Sequence, residues 1–250
     1  MTREPAERLL LGVLGIVLLL AGWQLVGLEG WAGSSWPPLS RVLPVLLSPA
    51  HRALFGRALR ASLSAVALGY AAGLLSGLLA AMLGHVLRPL RPGLDTLANL
   101  LHAIPIIALA PLLIALMSRS WTGTAIAALG TFYVVYVSAS SGLEATLAAH
   151  ADLFRAFGSG ARTRLVWLDL PAAAPSIAAG MKYAVPIAFV GAILGEWFGS
   201  AHGIGLLIVG AMQNFQIPLL WSAVLLASVP SVLAYGLLAA LERAVAARCR

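Results

Sequence analysis

The sequence predicts an all-α integral membrane protein with about six membrane-spanning helices, and three observations lead to this prediction. Hydrophobic residues make up 60% of the 250 residues and charged residues only 10%, with a mean hydropathy of +0.93. Soluble domains average about 45–50% apolar and about 25% charged residues, so lipid must solvate much of this surface. The apolar residues form continuous runs of spanning length, unlike the short alternating segments of a β-barrel. The runs are residues 9–28, 61–87, 94–117, 121–141, 176–198 and 218–241.

The first run, residues 9–28, follows Arg3 and Arg8 at the N-terminus. A cleaved signal peptide has a shorter apolar core and small residues at its cleavage site. This run has the roughly 20 residues that a bilayer requires, so we expect a retained first span. The chain is thereby divided into residues 1–60, a first helix with a basic extracytoplasmic segment, and residues 61–250, a core domain of five spans.

Basic residues predict the orientation in the membrane, because they concentrate on the cytoplasmic side. With a cytoplasmic N-terminus, ten arginines lie inside and five lie outside, which places both termini inside. The inner residues are Arg3, Arg8, Arg88, Arg91, Arg155, Arg162, Arg164, Arg243, Arg248 and Arg250. The outer residues are Arg41, Arg52, Arg57, Arg60 and Arg119.

Glycines recur every four positions on the second and fifth spans. Small residues at this spacing let the backbones of membrane helices approach closely, so the two stripes predict a packed bundle or an oligomer interface. The helix-packing candidates are Gly69, Gly73 and Gly77 on the second span and Gly191, Gly195 and Gly199 on the fifth.

Prolines interrupt the third span at Pro105 and Pro111 and the fifth span at Pro186. Proline removes a backbone donor and kinks or breaks a helix. Broken helices line the pathway in many transport proteins, whereas other kinks only serve packing. The sequence leaves both interpretations open.

Several polar residues lie in or beside the spans. Glu196 near the outer end of the fifth span either faces a pathway or caps a re-entrant segment at about residues 199–205. Lys182, inside the same span, is expected to extend its ammonium to the cytoplasmic surface. The residues considered for a translocation pathway are Asn99, His102, Pro105, Glu196, Gln213 and Asn214.

Residues 142–174 are too polar for a bilayer and predict a cytoplasmic loop of about thirty residues. The loop carries Glu144, His150, Asp152, Arg155, Arg162, Arg164 and Asp169. Its first half, 144–157, can be helical, Gly158 and Gly160 break that helix, and residues 162–170 can form a second short helix. A folded helix–turn–helix on this side of the membrane would suit docking onto a partner protein.

The stretch ADLFRAFGSGARTRLVWLDLPAAAPSIAAGMK, residues 151–182, resembles the signature loop of permease subunits of binding-protein-dependent ABC importers. The family glycine falls on Gly158, the Leu-Pro pair on Leu170 and Pro171, and the second proline on Pro175. We expect Pro171 and Pro175 to set the entry into the fifth span. The resemblance implies the type I permease fold, with residues 61–250 as the permease core.

The family's Glu-Ala-Ala is replaced here by Asp152, Leu153 and Phe154, which keeps the acidic charge but not the small side chains. This departure bears on how the loop fits the ATPase groove. The residues that the resemblance places in an ATPase-coupling loop are Asp152, Arg155, Gly158, Arg162, Arg164, Leu170, Pro171 and Pro175.

The resemblance also implies the partners and the location. This multi-pass chain would lie in a bacterial inner membrane and pair with a second permease chain, as a homodimer or as half of a heterodimer. Its other partners would be two ATP-binding subunits, an extracytoplasmic substrate-binding protein and the lipid bilayer. ATP and Mg would be bound by the partner ATPase, and no cofactor is expected in this chain. The segments GEWFGSAHGIGLLI (195–208) and LHAIPIIALAPLLIAL (101–116) are similar to the nitrate, sulfonate and taurine branch. A pyrimidine-type vitamin precursor is the alternative substrate.

Other function classes fit the residues less well. A P-loop needs a lysine followed by Ser or Thr, but Lys182, the only lysine, is followed by Tyr183, so the chain is not expected to be an enzyme. The arginines form no aromatic-interleaved face for nucleic acid. Ser76-Gly77 lacks the glycine that an intramembrane serine nucleophile would need before it. Cys249 is a lone cysteine, and the dispersed histidines predict no metal site. A stand-alone secondary transporter would show inverted repeats, which we do not find.

Overall fold

The computed structural model describes residues 5–146 and 148–248, and within these ranges the ordered elements are all helical. The long helices arise from the apolar runs, because a backbone in lipid must satisfy its own hydrogen bonds. The helices are α1 (Pro5–Glu29), α2 (Leu39–Leu47), α3 (Arg52–Val86), α4 (Arg91–Ala103), α5 (Ile106–Leu116), α6 (Thr122–Glu144), α7 (Ala148–Ala156), α8 (Ala161–Arg164), α9 (Leu170–Trp197), α10 (Ile204–Gln213) and α11 (Ile217–Arg248).

Five helical stretches are long and apolar enough to cross a membrane, or six if one bent pair counts as a single span. The five are Leu10–Glu29, Pro49–Val86, Arg119–Glu144, Ala161–Trp197 and Ile217–Arg248. The bent pair is Arg88–Ala103 with Ile106–Leu116, which corresponds to the predicted third span. The all-helical membrane fold predicted from the sequence is therefore confirmed. The predicted boundary after residue 60 falls inside α3.

The third span is broken at Pro105, where α4 and α5 meet at an angle of 97°. Ile104 has extended backbone angles (φ −72°, ψ 123°), because the ring of a following proline disfavours the helical region. Pro111 lies inside α5 and Pro186 inside α9, and both helices continue past them. One of the three prolines thus breaks its helix.

The packed centre of the bundle is α6, which lies between α3 and α9. Five of the six predicted packing glycines face it. A Cβ at Gly69, Gly73 or Gly77 would overlap residues of α6, and so would one at Gly191 or Gly195. Gly199 instead follows α9 and lies against Ile114 and Arg119.

The predicted second short helix is continuous with the fifth span. Helix α8, a single π-helical turn over Leu165–Asp169, and α9 follow one another without a break, so the second short helix continues through Pro171 into the fifth span. A proline lacks a donor and crowds the carbonyl four residues earlier, here Trp167. That carbonyl lies in the widened π turn, which accommodates the proline.

The N-terminal part packs loosely onto the core. α1 contacts mainly the short helix α2, and three tryptophans join these elements to the start of α11. The rings of Trp23, Trp36 and Trp221 contact one another in tilted and edge-to-face arrangements, with centroids 4.7–5.4 Å apart. Tryptophan favours the membrane–water interface on either side of a bilayer, so this cluster indicates one of the two interfaces.

Candidate functional site

The predicted coupling loop, residues 142–174, contains α7, a turn and α8. Gly158 has φ +66°, a left-handed angle that other residues adopt at a cost, so the glycine permits the turn between the two helices. Leu153 and Phe157 on this segment are 52% and 79% exposed. Asp152 and Arg162 are exposed too, whereas the side chain of Arg155 lies outside the described residues. The loop therefore presents apolar side chains beside charged ones.

Asp169, in the π turn, ties this loop to the helix bundle. Its carboxylate is 2% exposed and lies 3.0 Å from His85 Nε2 at the end of α3. Thr146 Oγ1, just after α6, donates a hydrogen bond of 3.1 Å to the other carboxylate oxygen. Arg164 Nε lies 3.4 Å from the oxygen that faces His85. One carboxylate thus links the loop to the ends of two membrane helices.

A second ionic cluster adjoins this one and ties α4 to α6. Arg91 forms an ion pair with Glu144 and lies 3.5 Å from Asp95. Tyr136 donates a 2.6 Å hydrogen bond to Asp95. The end of the bundle that carries the loop is therefore held by charged groups, and we call it the loop end.

Glu196 lies at the opposite end of α9 and is 3% exposed. Ser62 Oγ and the Gly205 backbone N–H both donate to its Oε2, at 2.9 and 2.8 Å. Ser62 in turn accepts from the Ile204 N–H at 2.8 Å. The carboxylate therefore caps the first turn of α10, as one of the two interpretations of this residue expected. Gly203 and Gly205 leave the space, since a Cβ at either would overlap Glu196.

Lys182 does not extend to the membrane surface, so that expectation was wrong. It is 8% exposed and donates to Glu242 of α11 at 2.5 Å, with its ammonium 4.4 Å from the centroid of the Tyr183 ring. The residue lies twelve positions beyond Leu170, about 18 Å along α9. A carboxylate within the bundle is a better partner there than distant water, because an unpaired charge in lipid is costly.

The other residues considered for a pathway lie apart. Asn99, His102 and Pro105 lie on the exposed side of α4 and its break, with His102 stacked on Tyr133 at 3.7 Å between centroids. Gln213 and Asn214 are exposed at the end of α10, at the opposite end of the bundle. Asn214 lines a cleft of about 560 Å³ together with Arg57 and His202 of the same end.

Three of these contacts were not anticipated from the sequence: Asp169 with His85, Lys182 with Glu242, and Glu196 with Ser62. The paired residues are 84, 60 and 134 positions apart. In the sequence, each of these sites was marked only by an isolated charge in or beside an apolar run. Such a charge indicates a possible site but does not identify the residue that pairs with it. Within 5–146 and 148–248, the His, Cys, Asp and Glu residues form no group of three or more that could hold a metal ion.

Comparison with known proteins identifies the family. Residues 73–247 match the family described as the binding-protein-dependent transport system inner membrane component. The chain belongs to this family, the permease subunits of ABC importers, as the loop at 151–182 predicted. Such permeases are non-catalytic transport subunits that work with a separate ATPase and a substrate-binding protein.

Three relatives illustrate the family, and two of them are named for different substrates. A probable ABC transporter permease protein of Haemophilus influenzae is 32% identical over 226 residues, 88% of this chain and 89% of the relative. The formylaminopyrimidine transport permease ThiX of Halalkalibacterium halodurans is 32% identical over 142 residues, 56% of this chain and 57% of that protein. The putative aliphatic sulfonates transport permease SsuC of Bacillus subtilis is 27% identical over 240 residues, which cover 93% of this chain and 85% of SsuC.

A solved structure shares the fold. A chain of the MetNI methionine ABC transporter in inward-facing conformations superposes with a TM-score of 0.66 at 19% identity, covering 80% of this chain and 99% of that chain. At this identity the likeness concerns the fold. The type I importer permease architecture predicted from the sequence is thereby confirmed.

Proposed function

We propose that this chain forms one half of a homodimeric pore that imports a small, hydrophilic, anionic solute, with aliphatic sulfonate, taurine or nitrate as the first candidates. Two ATP-binding subunits dock on the loop of residues 142–174 and supply ATP and Mg. An extracytoplasmic binding protein delivers the solute to the opposite end. One relative whose match spans most of both chains, SsuC of Bacillus subtilis, is named for aliphatic sulfonates.

The observation that carries the coupling proposal is the exposed apolar pair on a tethered loop. The side chains of Leu153 and Phe157 are exposed. Exposed apolar side chains surrounded by charged residues are typical of protein interaction sites. The same loop is fixed to α3 and α6 through Asp169, so a force on the loop reaches two membrane helices. Docking and transmission are both provided within one short segment.

The orientation that this proposal needs is the one favoured by the arginines, with both termini and the loop end in the cytoplasm. In this orientation the cleft lined by Asn214 and Arg57 faces outward, toward the binding protein. A membrane-impermeant maleimide added to intact cells tests this. Ser34→Cys in a Cys249→Ser background should be labelled, and Ser159→Cys should not; the reverse pattern would refute the orientation.

Co-purification with the candidate ATPase tests the docking proposal. Phe157→Asp should abolish ATPase retention by the detergent-solubilised chain, because it places a charge in the apolar contact. Gly158→Pro should do the same by removing the left-handed turn, since proline is restricted to φ near −65°. Asp152→Lys, which reverses the acidic charge of the signature, should reduce retention.

The matched control is Phe215→Asp, which alters an equally exposed phenylalanine (86%) after α10 at the other end of the bundle. It should leave ATPase retention unchanged. Equal losses from Phe157→Asp and Phe215→Asp would refute the assigned contact. Retention of the ATPase by all of these variants would show that the loop does not dock it.

The second candidate substrate is a formylaminopyrimidine-type vitamin precursor, favoured by the higher identity to ThiX over its shorter match. Uptake into proteoliposomes containing the permease, its ATPase and its binding protein separates the candidates. Taurine uptake that unlabelled sulfonates suppress supports the first proposal. Uptake that only the formylaminopyrimidine suppresses supports the second candidate substrate instead.

For the pathway, we propose the exposed side of α4 at its break. Asn99, His102 and Pro105 lie there together. Glu196 is less suited, because its carboxylate already accepts two hydrogen bonds within the chain. In the Cys249→Ser background, labelling of Asn99→Cys should change between nucleotide-free and ATP-bound transporter, and labelling of Gln213→Cys should change less. Constant labelling of Asn99→Cys would exclude this face.

A further inference from the structure

The loop end contains two adjoining clefts beside the Asp169 contact. One, of about 350 Å³, lies between the ends of α3 and α6, and the other, of about 380 Å³, lies between α3 and α8. They share His85, Arg88 and Arg164 as lining residues. Arg91 closes the first cleft and Arg162 the second, so four arginines from two distant segments surround them.

The carboxylates nearby neutralise only part of this charge. Arg91 is paired with Glu144 and Asp95, and Arg164 is near Asp169, whose two oxygens already face His85 and Thr146. Among the residues that the structure describes, no carboxylate lies within salt-bridge distance of Arg88 or Arg162. These two guanidinium groups leave the clefts with a positive surplus.

Exposed apolar side chains neighbour the cleft-lining arginines along the chain, and one of them, Val86, itself lines the second cleft. Val86 and Leu87 end the apolar span of α3, and Leu90, Val166 and Trp167 stand beside the arginines with exposures of 47–73%. An exposed tryptophan next to the end of an apolar span is typical of the membrane–water interface. The position therefore offers acyl-chain contacts immediately next to cationic groups.

We propose that these clefts bind the headgroup of an anionic phospholipid, with its phosphate between Arg88 and Arg162 and its acyl chains along Val86 and Trp167. Arginine pairs with phosphate in a bidentate manner, and basic pockets between membrane helices are known to hold anionic headgroups. The bound lipid would join the end of α3 to α8, beside the Asp169 contact. This inference goes beyond solute transport and does not depend on the substrate.

Native mass spectrometry of the full-length, delipidated chain tests the proposal, with phosphatidylglycerol and phosphatidylcholine of equal acyl length as probes. The wild type should retain phosphatidylglycerol in preference to phosphatidylcholine. The single variants Arg88→Gln and Arg162→Gln should each weaken phosphatidylglycerol binding about fivefold, and the double variant about thirtyfold. Arg88→Lys/Arg162→Lys keeps the charge and should retain much of the binding.

The matched control is Arg243→Gln/Arg248→Gln, which removes the same charge from exposed positions near the end of α11. Equal loss in this control would mean only general attraction of anionic lipid and would overturn the proposal. Displacement of phosphatidylglycerol by 10 mM inorganic phosphate would overturn it in favour of a free-anion site. Unchanged lipid binding in Arg88→Gln/Arg162→Gln with loss of ATPase retention would assign the arginines to the ATPase instead.

Discussion

The two ends of helix α9 each bury a carboxylate, and they do so by different means. Asp169 at the first end is surrounded by charged or chargeable partners, His85 and Arg164, on separate elements. Glu196 at the other end has neutral partners, the Ser62 hydroxyl and the Gly205 N–H, in a space that glycines keep open.

This difference shows which end can rearrange. The side chains of His85 and Arg164 are 19% and 22% exposed, so water or another ion can replace Asp169 as their partner. Hydrogen bonds to a buried cap cannot, because each donor left without a partner costs about 1–3 kcal/mol. We therefore expect the Glu196 end to be rigid and the Asp169 end to change its contacts during transport.

The largest effect should come from Glu196→Ala. This substitution removes the acceptor of two buried donors, the Ser62 hydroxyl and the Gly205 N–H. Because both donors lose their partner, we expect the free energy of unfolding to fall by about 3 kcal/mol. Glu196→Gln keeps a carboxamide oxygen in the same place and should therefore retain most of the wild-type free energy of unfolding. Denaturation of the detergent-solubilised chain measures both. Equal stability of Glu196→Ala and wild type would refute the rigid cap.

Asp169→Asn should have a smaller effect on stability and a larger one on transport. The amide can still accept from Thr146 but loses its charge toward His85 and Arg164, at an expected cost of about 1 kcal/mol. ATPase retention should persist while ATP-driven uptake falls about tenfold or more, because the loop is less firmly tied to α3. The combined assay of retention, ATPase rate and uptake decides this. Loss of retention and uptake together would mean that Asp169 only holds the docking surface in place.

His85→Gln is the matched variant on the other side of that contact. It keeps a hydrogen-bonding group near Asp169 and should lower uptake less than Asp169→Asn does. If both variants leave uptake unchanged, the ionic contacts at this end do not transmit force.

The smallest effect on stability should come from Lys182→Met, which removes one member of the ion pair between the two ends. Glu242 is one-quarter exposed at its side chain, so in Lys182→Met it can take up a proton or reach water. Glu242→Gln strands the Lys182 ammonium inside the bundle and should lower the melting temperature more. The double variant Lys182→Met/Glu242→Gln should have a higher melting temperature than Glu242→Gln alone. Additive losses would show that the two residues do not interact.

The same contrast explains what the sequence could and could not predict. The glycine stripes at Gly69–Gly73–Gly77 and Gly191–Gly195 follow from local spacing, which is why their packed role was foreseeable. The break at Pro105 was foreseeable as a kink, but not its 97° angle, which depends on how α5 packs beside α6 and α9.

Partners across the bundle were not foreseeable. Asp169 was visible only as one polar residue of a polar loop, and His85 as one of several scattered histidines. Their meeting requires the register of α9 against α3, which no local pattern contains. The path of the chain through Pro171 was missed for a related reason: a π turn leaves no signature in composition, so the proline indicated a boundary that the widened turn removes.

The unbroken run from Ala161 to Trp197 has a mechanical consequence. Its 37 residues make a rod of about 55 Å, longer than the hydrocarbon thickness of a bilayer. A hinge at Pro171 would let the end that carries the loop swing while the rest stood still. Without one there, a tilt of about 10° at the base carries the far end by about 10 Å. Motion at the loop is then transmitted to the Glu196 end as displacement of one continuous helix, which passes through Pro175 and Pro186 without ending.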